Sequence, residues 1–178
     1  MTAGRVLVVG LGSPDRGDDA VGGLVAERLA EVGVAAQWGD DAVHIVTRED
    51  PLSLTQLWDG YCAALVIDAV ASGHPPGGLH IREVGAAGGA MLPTHAFAAA
   101  GRGGSHAFGL AGAVELSRTL GTLPRHVVVI GVEAATFAPG PPSPQVEAAV
   151  DAAVTAASAE LAELVLLAQS TEGEQSCA

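Results

Sequence analysis

Residues 6–22 constrain the fold more than any other stretch of the sequence. Residues 6–9 are a run of valine and leucine, which is typical of a buried strand. A glycine-rich turn follows, and a helical pattern begins at Ala20 and continues to about Glu31. A strand joined to a helix through a glycine turn is the first half of a βαβ unit. The turn lies at the carboxyl end of the strand, where open α/β sheets place their binding sites.

This turn contains the beginning of a dinucleotide-binding fingerprint but not its end. Gly10 and Gly12 fit the first two glycines of that motif, whereas Asp15 stands where the third is expected. The turn holds three aspartates and one arginine, a balance that repels phosphate, and the chain has no lysine for a phosphate loop. A nucleotide site is therefore not expected. The adjacent Asp18 and Asp19 indicate either a helix N-cap, for which Asp18 is the better placed, or oxygen ligands for a metal.

The overall composition restricts the partners of the protein. The chain has 178 residues, of which 49% are hydrophobic, and its formal net charge is −12. A surface this acidic argues against nucleic acid and against an anionic membrane as partners. No apolar run reaches the length of a membrane span. We expect one domain over residues 1–169 and a polar, disordered tail over residues 170–178.

The two cysteines and the start of the chain bear on its location. Cys62 and Cys177 do not form a disulfide framework, so we expect two free thiols in a reducing compartment. A strand begins within the first few residues, and no signal-peptide pattern precedes it. These features predict a cytoplasmic protein.

Further strands and helices alternate along the rest of the sequence. Residues 61–70 and 125–132 are strong buried strands, and shorter strands are expected at 42–46 and 79–84. Helical spacing is found at residues 51–58, 107–120 and 144–168, and residues 85–104 are read as a loop. This order predicts a single-domain α/β layered fold, with a mainly parallel twisted sheet and helices on both faces.

Three side chains that ligate metals follow elements of this predicted sheet. Asp19 follows the first strand, Asp68 lies at the end of the strand over 61–70, and His106 begins a helix for which Ser105 is the expected N-cap. In a doubly wound sheet these positions can meet in one cleft. Two carboxylates and one imidazole suit a divalent transition metal. The remaining histidines are interpreted as strand or loop residues rather than ligands: His44, His74, His80, His95 and His126.

From Val6 to about Ala168 the sequence resembles the hydrogenase maturation proteases. The resemblance is carried by four stretches in this order: 10–22, 66–70 with its Ser-Gly and Pro-Gly continuation, 105–110 and 129–133. These proteins are endopeptidases that trim the C-terminus of the nickel–iron hydrogenase large subunit. Two features depart from the family pattern. Ser13-Pro14 stands where an asparagine usually follows the second glycine, and Ala134 stands where a proline is common.

The resemblance implies a function and a set of site residues. Asp19, Asp68 and His106 match the family's metal-contacting positions and would be both the catalytic and the metal-binding residues. The implied partner is the hydrogenase large-subunit precursor, the implied metal is nickel presented by that precursor, and no organic cofactor is expected. Water would be activated either by the metal or by a carboxylate acting as general base. The second alternative corresponds to an endopeptidase of the aspartic type. The residues leave two alternatives open, namely a nickel-binding accessory protein without peptidase activity and a small-molecule-binding α/β domain.

Overall fold

The computed structural model describes residues 4–39, 41–97 and 109–170. Its sheet has five strands in the order β2-β1-β3-β5-β4. The first four strands in this order are parallel, and β4 pairs with β5 in the antiparallel direction. The strands are β1 Val6–Leu11, β2 Val43–Arg48, β3 Ala63–Val70, β4 Leu79–Glu83 and β5 His126–Glu133. The predicted α/β fold with a mainly parallel sheet is confirmed.

Helices cover both faces of this sheet, as the sequence predicts. Helices α1 and α4 pack on one face, while α2 and α3 pack on the other. The helices are α1 Val21–Glu31, α2 Leu54–Leu57, α3 Leu110–Leu120 and α4 Pro144–Ser170. Short 3-10 turns span Gly17–Ala20, Val34–Trp38 and Pro51–Ser53. In the described part of the chain, none of these helices has the length and apolar character needed to span a bilayer.

The continuous apolar run of β1 follows from its position between two helical layers. Every residue of Val6–Leu11 is buried. Successive side chains of a strand point to opposite faces, so Val6 and Val8 pack with α1 and α4, whereas Leu7 and Val9 pack with α2 and α3. A strand covered on both faces needs apolar residues at every position, and this is why the sequence pattern is continuous here rather than alternating.

The predicted beginning of α3 is wrong. The helix begins at Leu110, and its N-cap is Gly109, which has an extended backbone with φ −77° and ψ −178°. The predicted helical pattern over residues 107–120 requires a helical backbone at residue 109, which is extended instead. The predicted N-cap, Ser105, lies outside the described residues. The apolar spacing of the sequence predicts the helix, but it does not predict the extended backbone at Gly109 that sets the first helical residue.

The predicted free thiol at Cys62 is also wrong, because Cys62 is disulfide-bonded in the structure. Sequence spacing cannot show which side chains a fold brings within bonding distance. The thiol argument for a reducing compartment therefore no longer supports a cytoplasmic location.

The polar tail predicted over residues 170–178 lies outside the described residues from position 171 onward, and this stretch includes Cys177. Ser170 is the last residue of α4.

Candidate functional site

Two glycines bring α1 directly onto the carboxyl ends of β1 and β3. A Cβ atom on Gly22 would collide with the carbonyl oxygens of Leu11 and Ile67, and a Cβ atom on Gly10 would collide with the carbonyl oxygen of Gly22. Only glycine permits such a close approach between two backbones. These glycines therefore serve the packing of helix against sheet, and their presence is explained without a bound nucleotide.

Asp19 is held at this same edge by the turn that follows β1. Gly12 has φ +124°, and a Cβ there would collide with the backbone oxygen of Asp19, so the position requires glycine. The Ser13 amide donates a hydrogen bond to Asp19 Oδ2 at 2.9 Å. Pro14 has no amide hydrogen, but the donor comes from Ser13, so the Ser13-Pro14 departure from the family pattern leaves this contact in place. The Asp19 side chain is consequently oriented by the backbone around it.

Asp68 lies on the neighbouring strand, close to the start of the glycine turn. Strands β1 and β3 are parallel neighbours, and Gly10 pairs with Ile67, so Asp68 is one residue beyond the last paired position. Its Oδ1 accepts a hydrogen bond from the Ala69 amide at 2.9 Å. The structure thus places Asp19 and Asp68 at the carboxyl ends of two adjacent parallel strands, which is where the sequence expected them.

His106, the third predicted site residue, lies outside the described residues, as does the whole stretch 98–108. The described chain resumes at Gly109, on the face of the sheet covered by α2 and α3. The roles of Asp19, Asp68 and His106 as catalytic residues and metal ligands stay predictions.

Asp18 does not cap α1, so that sequence prediction is wrong. It is fully buried within the 3-10 turn Gly17–Ala20, and no side-chain cap is present at the start of that turn or of α1. Its Oδ2 accepts hydrogen bonds from the amides of Ala135 at 2.7 Å and Thr136 at 3.0 Å and from the hydroxyl of Ser143 at 2.9 Å. Its Oδ1 accepts from the amide of Ser143 at 2.6 Å. Asp18 therefore ties the glycine turn to the loop between β5 and α4.

These hydrogen bonds also decide the charge of Asp18. Burial by itself would raise the pKa of the Asp18 carboxyl, but donors from Ser143, Ala135 and Thr136 outweigh burial and hold that pKa below its usual value. Backbone hydrogen bonds also join the glycine turn to the β5–α4 loop. The Gly17 amide donates to the Gly140 carbonyl at 2.9 Å, and the Asp18 amide donates to the Thr136 carbonyl at 3.0 Å. The carboxylate is a charged structural anchor for two loops at the site.

Glu133, at the end of β5, anchors a second loop in the same manner. The side chain is buried, and its Oε1 accepts from the amides of Ser72 at 2.8 Å, Gly73 at 2.9 Å and His74 at 3.2 Å. Its Oε2 accepts from the Ser72 hydroxyl at 2.6 Å and from His80 Nε2 at 3.0 Å. Burial would raise the pKa of Glu133, but these donors lower it below its usual value. The loop over residues 71–78, which follows the Asp68 strand, is fixed by this contact.

A cavity of about 480 Å³ opens beside the glycine turn. It is bounded by the turn itself, by the first turns of α1, by the end of β2 and by the start of α4. Its lining residues are Gly12, Pro14, Ala20, Gly23, Leu24, Glu27, Thr47, Arg48, Glu49, Pro142 and Glu147. The cavity therefore adjoins Asp19 through Gly12 and Ala20.

Solved structures of hydrogenase maturation endopeptidases share this architecture. The hydrogenase maturating endopeptidase HybD from E. coli is 23% identical in sequence, with a TM-score of 0.68 over 89% of this chain and 93% of that one. The hydrogenase 2 maturation peptidase from a Thaumarchaeota archaeon is 25% identical, with a TM-score of 0.63 over 89% and 98%. The maturation protease HycI from Thermococcus kodakarensis is 24% identical, with a TM-score of 0.62 over 89% and 93%.

The chain accordingly has the fold of the hydrogenase maturation endopeptidases, as the sequence resemblance implied. Neither a protein-family model nor a curated protein matches the sequence.

The sequence does not predict one group of polar residues, which lies where β4 pairs with the end of β5. The sequence predicts ordinary loop and strand roles for His74 and His80, yet both lie against Glu133 in the structure. Their separation in sequence hides the contact, because His80 meets Glu133 only through the pairing of β4 with β5. The signal available in the sequence was Glu133, which directly follows a strong buried strand. A carboxylate buried there requires polar partners from elsewhere in the chain.

Proposed function

We propose that this protein is an endopeptidase that removes a C-terminal peptide from the nickel-loaded large-subunit precursor of a nickel–iron hydrogenase. One observation carries the proposal. The chain has the fold of the maturation endopeptidases, and two carboxylates at the family's motif positions, Asp19 and Asp68, lie at the carboxyl edge of its parallel strands.

The proposed mechanism uses metal that arrives with the substrate. Asp19, Asp68 and His106 would supply two carboxylates and one imidazole, a donor set that suits nickel. Together they would complete the coordination of the precursor's nickel and so align the scissile peptide bond with the site. Water would then attack the peptide carbonyl, activated either by the metal or by one carboxylate acting as general base. The hydrogen bond from the Ser13 amide would keep the Asp19 carboxylate oriented for either task.

The cavity beside the glycine turn would receive part of the precursor polypeptide. It adjoins Asp19, and its volume of about 480 Å³ is of the size that binding pockets have. Its walls combine apolar surface from Leu24 and Pro142 with charged side chains such as Arg48 and Glu27. An extended peptide could bind there with its scissile bond near the two aspartates. A cytoplasmic location is also part of the proposal.

A nickel-binding accessory protein without peptidase activity is the alternative that uses the same residues. Such a carrier should bind nickel tightly in the absence of a partner, because holding the ion is its task. A protease that recognises metal carried by its substrate should bind nickel weakly on its own. The two functions are therefore distinguished by nickel affinity measured without precursor and by cleavage measured with it.

The decisive experiment incubates the protein with hydrogenase large-subunit precursor prepared with and without nickel. Mass spectrometry should detect loss of a C-terminal peptide from the nickel-loaded precursor only, because nickel completes the proposed site. Cleavage of both preparations at equal rates would remove metal recognition from the mechanism. Failure to cleave either preparation, combined with tight nickel binding by the protein alone, would favour the carrier.

A further inference from the structure

A group of side chains that can ligate a metal lies at the β4 edge of the sheet. His74 from the β3–β4 loop, His80 from β4 and Glu133 from the end of β5 each offer one ligand atom, and these atoms all lie within 4.8 Å of one another. We name these three residues the His-His-Glu cluster. It shares no residue with the predicted set Asp19, Asp68 and His106.

The cluster is arranged around the hydroxyl of Ser72. Ser72 Oγ lies 2.6 Å from Glu133 Oε2, 2.8 Å from His74 Nδ1 and 3.4 Å from His80 Nε2. His80 Nε2 is 3.0 Å from Glu133 Oε2. The hydroxyl thus lies among three atoms that can all ligate a metal, and rotation of Ser72 about its Cα–Cβ bond would take it away from them.

The carboxylate of the cluster is already oriented for coordination. Glu133 Oε1 accepts three backbone amides, from Ser72, Gly73 and His74, and these bonds fix the plane of the carboxylate while Oε2 faces both imidazoles. Outer hydrogen bonds of this kind hold ligands in place in metal sites. The Glu133 side chain is only 2% exposed and that of His80 is 19% exposed, whereas His74 is on the surface. Glu133 is therefore a rigid, buried ligand, whereas the exposed His74 side chain can change its orientation.

The distances suit a small transition-metal ion. Ligand atoms about 2.0–2.2 Å from a tetrahedral metal are about 3.3–3.6 Å apart. The observed 3.0 Å between His80 and Glu133 is slightly shorter than this, and the remaining separations stay below 4.8 Å. A small outward movement of His80 and a rotation of the exposed His74 ring would bring all three atoms to coordination distance.

We propose that His74, His80 and Glu133 form a binding site for a divalent transition-metal ion, with Ser72 turned away and the remaining coordination position open to solvent. Two imidazoles and one carboxylate favour zinc, nickel or cobalt over the oxygen-seeking magnesium and calcium. The site does not depend on the proposed peptidase function, because its ligands and its experiment are separate from those of the Asp19 and Asp68 edge.

The experiment is a calorimetric titration of the full chain with Zn²⁺ in the presence of excess Mg²⁺. The starting protein carries Asp19→Asn and Asp68→Asn, so that zinc cannot bind through that pair of carboxylates. One equivalent of zinc should bind, and His74→Ala or His80→Ala should weaken it at least about tenfold. Glu133→Gln should have the same effect with the fold retained, because glutamine keeps an oxygen for the three amides. The Hε1 and Hδ2 resonances of His74 and His80 should shift on zinc addition.

Two further variants make the result specific. Ser72→Ala should bind zinc at least as tightly as the starting protein, since the competing hydroxyl is gone. His44→Ala, on β2 at the opposite edge of the sheet, removes an imidazole that contacts Tyr61 and should leave zinc binding unchanged. The proposal is overturned if no zinc binds in excess Mg²⁺. It is equally overturned if His74→Ala and His80→Ala bind as tightly as the starting protein, with circular dichroism verifying that each variant is folded.

Discussion

Asp18 and Asp19 are adjacent in sequence but have separate surroundings. Asp18 is fully buried and accepts four hydrogen bonds from the β5–α4 loop, whereas the Ser13 amide donates a hydrogen bond to Asp19 at the sheet edge. A carboxylate that satisfies several buried donors is a structural element, because its removal would leave those donors without partners. At the residue scale, Asp18 stabilises the turn that presents Asp19.

Replacement of Asp18 by asparagine should destabilise the protein. An amide group offers one acceptor oxygen, so either the Ser143 amide or the amides of Ala135 and Thr136 would face another donor. We expect a loss on the order of 1–3 kcal/mol of unfolding free energy, measured by urea denaturation at pH 7. Asp15→Asn is the control, because Asp15 is exposed in the same turn and the charge change is identical.

The loss of stability in Asp18→Asn should depend on pH. Because the folded pKa of Asp18 lies below its usual value, its contribution to stability is present above about pH 3.9 and is lost as the pH falls through the folded pKa. The stability difference between wild type and Asp18→Asn should therefore shrink as the pH is lowered below about 3.9. A difference that stayed constant down to pH 2 would show that the charge of Asp18 is not what stabilises the fold.

At the scale of elements, the contact between α1 and the sheet depends on one glycine and not on its neighbour. A Cβ on Gly22 would collide with backbone atoms of β1 and β3, which cannot move independently. A Cβ on Gly23 would meet nothing within 4 Å. Two consecutive glycines of one helix therefore form a matched pair for testing the packing.

Gly22→Ala should destabilise the protein, whereas Gly23→Ala should not. The overpacked Gly22 variant should lose about 1–3 kcal/mol in urea denaturation, since the helix must move off the strand ends. Gly23→Ala should be neutral or gain up to about 1 kcal/mol from its better helix propensity. Equal effects of the two substitutions would contradict the close packing inferred for Gly22.

A larger side chain at position 23 tests the proposed role of the cavity. Gly23 lines the cavity, so the side chain of Gly23→Leu would project into it without disturbing the sheet. If the precursor polypeptide binds there, Gly23→Leu should raise KM for precursor processing and leave the melting temperature at or above that of wild type. Gly23→Ala, which adds one methyl group, should process normally. Unchanged KM in the leucine variant would place substrate binding elsewhere.

At the scale of the whole molecule, the sequence predicts the layers of the fold because its signals are local and strong. The buried runs at β1, β3 and β5 and the alanine-rich pattern of α4 each indicate their own structure. Asp19 and Asp68 could be placed at one edge because the carboxyl ends of parallel strands meet there.

The roles of Asp18 and Glu133 were not predictable in the same way. Their donors come from the loops over residues 134–143 and 71–78, far away in sequence. The disulfide at Cys62 and the meeting of His74 with His80 also arise only from the tertiary arrangement. Local patterns therefore define the scaffold, whereas contacts between distant loops define how the site is held.

The most direct test of the proposed function compares site variants on nickel-loaded hydrogenase precursor, with the C-terminal peptide quantified by mass spectrometry. Wild type and Asp15→Asn should process the precursor, whereas Asp19→Asn, Asp68→Asn and His106→Ala should each lose at least about 100-fold in rate. All four variants should have the circular dichroism spectrum of the wild type. Processing at the wild-type rate by Asp19→Asn and Asp68→Asn would contradict the proposed site, and an intact precursor after incubation with wild type would contradict the proposed function.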